Sequence, residues 1–414
     1  MLYRVSKKNA TIKGRIKVPA SKSISNRLLI IQAICPERFE IFNLSDSEDT
    51  KVLQKALKNT ETIADIGHAG TSMRFLTSFF ASHEGEKILT GSNRMKERPI
   101  GKLVDALLDL GADVEYLEKK GFPPLQIKGK KLKGGKISID SSVSSQFTSA
   151  LLLSSPEFHQ GLELELENKV VSSSYIEMTL KIMEHSGVCV EKKNNTIIVK
   201  PQTYKAKDIT VEGDWSGVSY WYEMAAFAES ADIFIESLQE KSFQGDAFCA
   251  EIFKHLAIKT EYFPTGIRIY KEGNFPKRFD FDFLENPDLV QTLAVTCVML
   301  NIAFRFTGTQ SLRIKETDRI VALQNELSKF GATLTYNDGT LEWNGVKLAI
   351  SAAIPIIATY HDHRMALAFA PVAILGKDII IDHPDVVIKS YPAFWNDLKM
   401  VDFKIEELKG FFLI

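Results

Sequence analysis

Leu103-Val104-Asp105-Ala106-Leu107-Leu108-Asp109-Leu110-Gly111 is followed by Val114 to Leu117, the turn Phe122-Pro123-Pro124, and Leu125-Gln126-Ile127. Apolar residues of the first stretch recur at helical spacing and Gly111 closes it, while the two short runs alternate like strands on either side of a turn. The stretch predicts a helix, a small closing residue and a β-hairpin. The same order returns from Ile182 to Gly187, with Val188 to Val190, Asn194-Asn195 and Ile197 to Val199. It returns again from Ala250 to Ala257, with Ile258 to Phe263, Pro264-Thr265-Gly266 and Ile267 to Tyr270. A fourth copy runs from Val321 to Gly331, with Thr333 to Tyr336, Asn337-Asp338-Gly339 and Leu341 to Trp343. The closing residues Gly111, Gly187, Ala257 and Gly331 stand 76, 70 and 74 residues apart.

A repeat of this kind fixes the architecture. One step forward reaches Val401, after helix-like Phe394 to Met400 and before Phe403-Lys404-Ile405, which implies a fifth hairpin. One step back reaches helix-like Lys51 to Leu57, but the chain then enters Gly67-His68-Ala69-Gly70 without a hairpin, so the first unit is truncated. Each of these six helices is preceded by another that opens on a polar leader: Ser21-Lys22-Ser23, Gly70-Thr71-Ser72, Ser144-Ser145-Gln146, Asp214-Trp215-Ser216, Pro287-Asp288 and Asp362-His363-Arg364. Six helix pairs predict two domains of three units, with junctions near Ala20 and Glu212-Gly213. Residues 1–20 and 213–414 form one domain and residues 21–212 the other.

The chain has 414 residues, 51 Lys+Arg against 52 Asp+Glu, a formal charge of −1 and 45% apolar residues, enough for a large core. Near-neutral charge argues against a nucleic-acid binder, which needs a basic excess. It equally disfavours a non-catalytic clamp of repeated βα units around nucleic acid. The longest apolar run, Leu289 to Phe306, is interrupted by Gln291, Asn301 and Arg305, so no membrane span is expected. Residues 1–20 carry no signal-peptide core, and Cys35, Cys189, Cys249 and Cys297 lie far apart, as reduced thiols in a cytoplasm would.

Helix starts expose N–H groups and partial positive charge, which makes anion sites when cations join them. Lys22 with Arg27, Arg74, Arg98, Lys315 with Arg319, Arg364 and Lys389 exceed what helix capping requires, and predict small, multiply charged anionic ligands. Asp288 and Glu316 lie among these cations as candidate proton-transfer groups, the alternatives being a helix-dipole carboxylate and a surface ion pair. Gly70 lacks a Cβ at a helix start, so a ligand is expected to approach its backbone closely. His361, His363 and His383 lack metal-site spacing, and no metal is expected.

The segments Ser21-Lys22-Ser23-Ile24-Ser25-Asn26-Arg27, Ala69-Gly70-Thr71-Ser72-Met73-Arg74, Arg94 to Gly101, Ser142-Val143-Ser144-Ser145-Gln146-Phe147, Lys315-Glu316-Thr317-Asp318-Arg319 and Asp362-His363-Arg364-Met365-Ala366 resemble, in order, the signature segments of the EPSP synthase family. The resemblance implies an α/β (α+β) fold with two domains of three βαβαββ units each and an active site in the cleft between them. It implies transfer of the enolpyruvyl group of phosphoenolpyruvate to the 5-hydroxyl of shikimate 3-phosphate, with no cofactor or metal, in a cytoplasmic monomer. Phosphoenolpyruvate would be held by Lys22, Gly70, Arg98, Gln146, Arg319, Arg364 and Lys389. Shikimate 3-phosphate would be held by Lys22, Ser23, Arg27, Ser144, Ser145, Gln146, Ser172, Tyr175, Asp288, Ser311 and Lys315. Asp288 would accept the hydroxyl proton, Glu316 would exchange a proton with the methylene carbon, and Lys22 would assist phosphate departure.

The resemblance also implies inhibition by glyphosate. The chain departs from the usual family pattern at His68, Phe75, Ser311 and Ser173-Ser174. A rival of the same fold and chemistry, UDP-N-acetylglucosamine enolpyruvyl transferase, usually carries a Cys on the loop that here reads Thr90-Gly91-Ser92-Asn93-Arg94-Met95.

Overall fold

A computed structural model describes residues 1–408 apart from Val143, Lys169 and residues 350–352. Val143, inside one of the segments quoted above, thus lies outside the described residues. The chain divides into two compact units, Met1–Ala20 with Glu212–Ile414, and Ser21–Val211. Glu212 joins the first of these, where its carboxylate accepts hydrogen bonds from Ser242 Oγ at 2.6 Å and the Phe243 N–H at 3.2 Å.

Six helix pairs run along the chain. In the unit of residues 21–211 they are α1 (Lys22–Ile34) with α2 (Glu48–Lys58), α3 (Gly70–Ser82) with α4 (Gly101–Asp109), and α5 (Ser145–Ser154) with α6 (Ser173–His185). In the other unit they are α7 (Trp215–Phe227) with α8 (Cys249–Lys254), α9 (Val290–Met299) with α10 (Arg319–Ser328), and α11 (His363–Phe369) with α12 (Phe394–Met400). The first helix of a pair is apolar nearly all round, as Val290-Gln291-Thr292-Leu293-Ala294-Val295-Thr296-Cys297-Val298-Met299 illustrates, and such a helix is stable only in a core. Every residue of α9 and α11 is buried, and only Ser216 of α7 is not. The second helix is amphipathic: α4 buries Leu103, Val104, Ala106 and Leu107 on one face. Polar leaders therefore stand at the ends of core helices.

Gly111, Gly187 and Gly331 have φ of +94°, +82° and +81°, and Ala257 has +59°. The recurrent small residue thus follows the second helix of these four pairs in the left-handed conformation that a bulky side chain resists. Amide N–H groups just beyond reach back, Ala112 to Leu107 O at 2.9 Å and Ala332 to Leu327 O at 3.2 Å, satisfying carbonyls that the helix end would orphan.

Five four-stranded sheets share one order. Ile63–Asp65 lies parallel to Gly85–Thr90, which is antiparallel to Leu125–Gly129, which pairs with Asp113–Tyr116. Gly135–Asp140, Leu162–Glu167, Thr196–Val199 and Val190–Lys193 repeat it, as do Arg278–Asp282, Ala303–Thr307, Thr340–Trp343 and Thr335–Asn337. The other two sheets take strands from the first residues of the chain. Thr11–Ile16 lies parallel to Ser230–Glu236, and Leu2–Lys7 lies between Ile379–Asp382 and Phe403–Leu408. The expected fifth hairpin is therefore absent among the described residues. Phe403–Leu408 pairs instead with Leu2–Lys7 in the register Leu2↔Leu408, because that strand already lies against Ile379–Asp382 and has a second edge to satisfy. α1 and α2 have only a two-stranded parallel sheet, Ile41–Phe42 with Ile209–Thr210, so the first unit is truncated. No helix of the described residues is long and apolar enough to cross a membrane.

Candidate functional site

In the unit of residues 212–408, the core helices α9 and α11 and the amphipathic α10 bring their first turns together. Asp288, just before α9, receives Arg364 Nη2 from α11 at 2.7 Å, Arg319 Nη1 from α10 at 3.0 Å and Lys315 Nζ at 3.5 Å. Arg319 is almost wholly enclosed, with 2% of its side chain exposed. Its other donors reach Glu316 Oε2 at 3.0 Å and Asp362 Oδ2 at 2.7 Å. Lys389 Nζ lies 3.1 Å from Glu316 Oε1. Asp362 caps α11 through the Arg364 N–H at 2.9 Å, and Arg364 Nη1 donates to Tyr220 Oη on α7 at 3.3 Å.

Burial alone would raise the Asp288 pKa, but Arg364, Lys315 and Arg319 together hold it well below the usual carboxylate value, against a smaller upward push from Glu316. Arg319 responds in the opposite sense. Burial opposes its charge, yet Asp362, Glu316 and Asp288 raise its pKa above the ordinary guanidinium value.

The sequence placed two carboxylates among the cations; the structure adds two more. Asp362 belongs to a quoted leader, but its grip on Arg319 spans 43 residues and is not a local signal. Asp246, next to α8, had no signal at all. It accepts from Ser216 Oγ and, at 3.4 Å, from Asn286 Nδ2, whose second contact is Gly245 O at 3.0 Å. Burial, then the nearby charge of Asp288, pushes its pKa up to about 6, against Ser216, Arg364 and Asn286. Burial also pushes Tyr220 up to about 12. Ser311 Oγ is buried without a hydrogen-bond partner among the described residues.

In the unit of residues 21–211, Lys22, the first residue of α1, lies 3.1 Å from the Asp49 carboxylate in the first turn of α2. Ser144 caps α5 by accepting the Gln146 N–H at 3.2 Å, and Gln146 Nε2 reaches Thr71 Oγ1 at the start of α3 at 3.4 Å. Ser145 and Ser172 are buried, Ser172 with φ +58° at the start of α6. Arg27 donates to Ser23 O at 2.8 Å, Thr179 Oγ1 at 2.7 Å, Tyr175 O at 3.1 Å and Ser149 Oγ at 3.3 Å. It thereby ties the turns carrying Ser23 and Tyr175 together, and its burial lowers its pKa to about 10.

One expectation changes here. Arg74, grouped with the anion-binding cations, directs donors to Gly70 O at 3.1 Å and Pro99 O at 3.0 Å, a strut between α3 and the segment bearing Arg98. Gly70 was expected to face a ligand. A Cβ there would lie 2.5 Å from Arg98 Nη1 and 2.9 Å from Nη2, so the arginine packs against the bare Cα. Residues 28 positions apart give no local hint of this contact. His361 and His383 have ring centroids 5.1 Å apart, and no group of three His, Cys, Asp or Glu side chains among the described residues is arranged to hold a metal ion.

A sequence profile described as EPSP synthase (3-phosphoshikimate 1-carboxyvinyltransferase) matches residues 6–63 and 54–398. The chain belongs to the EPSP synthase family. A 3-phosphoshikimate 1-carboxyvinyltransferase of Bacteroides fragilis (strain YCH46) is 49% identical over 397 residues, covering 95% of this chain and 97% of that one. Its counterpart in Psychromonas ingrahamii is 37% identical over 423 residues, with coverage of 95% and 97%. An EPSP synthase from Acinetobacter baumannii has the same fold, with a TM-score of 0.78 at 21% identity over 98% of this chain and 100% of that one. Both clusters lie inside the stretch that the EPSP synthase profile matches.

Proposed function

We infer that this EPSP synthase family member transfers the carboxyvinyl group of phosphoenolpyruvate to the 5-hydroxyl of shikimate 3-phosphate and releases phosphate. The observation that carries the reading is the placement of Asp288 and Glu316 on a shared set of cations, Arg319 touching both at 3.0 Å. The reaction needs an acid and a separate base around anionic substrates. Protonation of the methylene carbon by Glu316 makes the adjacent carbon electrophilic. The 5-oxygen bonds to that carbon while Asp288 takes the hydroxyl proton, giving a tetrahedral phosphate ketal. Glu316 then withdraws a proton from the methyl group, the double bond re-forms, and the carbon–oxygen bond to phosphate breaks with Lys22 neutralising the departing charge.

A carboxylate held far below its usual pKa is a weak base. Carboxylate and phosphate groups of the substrates compete for Arg364, Lys315 and Arg319, and as they take these cations Asp288 gains basicity. Arg319, Arg364 and Lys389 would bind phosphoenolpyruvate together with Lys22, Gly70, Arg98 and Gln146. Ser23, Arg27, Ser144, Ser145, Ser172, Tyr175, Ser311 and Lys315 would hold shikimate 3-phosphate. The reading takes a monomer, and the four unpaired thiols suit the cytoplasm.

Phosphate release measured with each substrate omitted in turn tests the reading. Phosphate should appear only when both are present. Release with UDP-N-acetylglucosamine in place of shikimate 3-phosphate, or with phosphoenolpyruvate alone, would overturn it.

A further inference from the structure

Two consecutive non-glycine residues, Tyr360 and His361, hold φ of +54° and +55° immediately before Asp362. L-residues seldom adopt this conformation, and a successive pair persists only where the surroundings enforce it. The restraint comes from α10. Tyr360 Oη donates to Glu326 Oε1 at 2.9 Å and accepts from Asn325 Nδ2 at 3.3 Å. Glu326, 1% exposed, also accepts the Ala358 N–H at 3.0 Å and Lys329 Nζ at 2.6 Å, and Lys329 reaches Ile356 O at 2.6 Å. The far end of α10 therefore grips the connection leading into α11. At its near end, Arg319 is gripped by Asp362. None of the proton transfers above uses Glu326 or Tyr360.

We propose that Glu326 and Tyr360 are positioning residues for the phosphoenolpyruvate cations: their hydrogen bond holds the left-handed pair Tyr360-His361, which sets Asp362, and Asp362 orients Arg319 and starts α11 where Arg364 meets Asp288. The chain of contacts is continuous, from Glu326 Oε1 to Tyr360 Oη at 2.9 Å, then from Asp362 Oδ2 to Arg319 Nε at 2.7 Å and from Asp362 Oδ1 to the Arg364 N–H at 2.9 Å. The inference rests on assigning Arg319 and Arg364 to phosphoenolpyruvate.

Steady-state kinetics and melting temperatures of Tyr360→Phe and Glu326→Gln test it. Losing a hydrogen bond to a charged acceptor should raise KM for phosphoenolpyruvate about 10-fold. KM for shikimate 3-phosphate should stay within about 2-fold, and turnover should fall by less than the affinity for phosphoenolpyruvate, since the clasp reaches Asp288 only through Arg319 and Arg364. His361→Gly, which accepts the left-handed conformation without strain, should recover part of the lost affinity when added to Tyr360→Phe. A Tyr360→Phe protein that melts lower but keeps KM for phosphoenolpyruvate unchanged overturns the proposal, whatever Glu326→Gln does to folding. Arg319→Lys and Arg364→Lys separate the two levels. If neither raises KM for phosphoenolpyruvate, the ligand assignment fails and the clasp with it. If they do and Tyr360→Phe does not, the clasp alone is wrong.

Discussion

The arginines of the two units face different partners. In residues 21–211, Arg27 and Arg74 direct their donors mainly to backbone carbonyls and hydroxyls, on Ser23, Tyr175 and Thr179 for one and on Gly70 and Pro99 for the other. In residues 212–408, Arg319 and Arg364 meet the carboxylates of Asp288, Glu316 and Asp362. A guanidinium on neutral acceptors keeps its charge for a passing anion. One on a carboxylate is neutralised until an anion displaces its partner, and the displaced carboxylate is then a stronger base. Arg27 thus suits holding substrate while Arg74 braces α3 against the Arg98 segment, and the arrangement around Asp288 suits moving protons when substrate arrives.

The largest effects should fall on the carboxylates. Asp288→Asn and Glu316→Gln are each expected to cut turnover by about 10² or more while shikimate 3-phosphate binding changes little, because each removes a proton-transfer step. Rapid-quench turnover with equilibrium binding checks this, and a variant with near-normal turnover would erase the contrast between the units. Smaller effects belong to the other unit. Gly70→Ala should push the Arg98 guanidinium aside and raise KM for phosphoenolpyruvate about 10-fold with turnover nearly kept. Arg98→Lys should do the same, and the double variant should add little to either, since both act through one guanidinium.

The smallest effect is on stability. Asp246 binds its proton more tightly folded than unfolded, so its contribution favours folding below the ordinary value of 3.8 and is lost as pH rises through about 6. Asp246→Asn removes that penalty. Urea unfolding should show the variant gaining on the wild type by on the order of 2 kcal/mol between pH 4 and pH 8. An equal difference at both pH values would place the Asp246 charge outside the cluster.

How much could be read from the chain alone follows from the range of each interaction. The helix pairs were legible because period, turn and closing residue are local, and the left-handed Gly111, Gly187, Ala257 and Gly331 show why the closing residue must be small. The last sheet was not, because Leu2–Lys7 pairs with Phe403–Leu408 across nearly the whole chain. The cations and the pair Asp288 and Glu316 stood out by their place at helix starts. Asp246 did not, because it becomes a site carboxylate only once Ser216 and Asn286 have folded around it. Gly70 needs its missing Cβ also for a neighbour that no local signal shows, since the Arg98 side chain comes from a later segment.

The central claim is that substrate anions switch Asp288 from a neutralised partner into a base. Carboxyl-labelled aspartate followed by carbon NMR, with Asp288→Asn identifying the signal, measures this directly. Without ligands the Asp288 carboxyl should remain ionised well below its ordinary value of 3.8, and with shikimate 3-phosphate and a phosphoenolpyruvate analogue bound its titration should move to higher pH. An Asp288 carboxyl that titrates at or above its ordinary value without ligands, or at the same pH in both states, would contradict the claim.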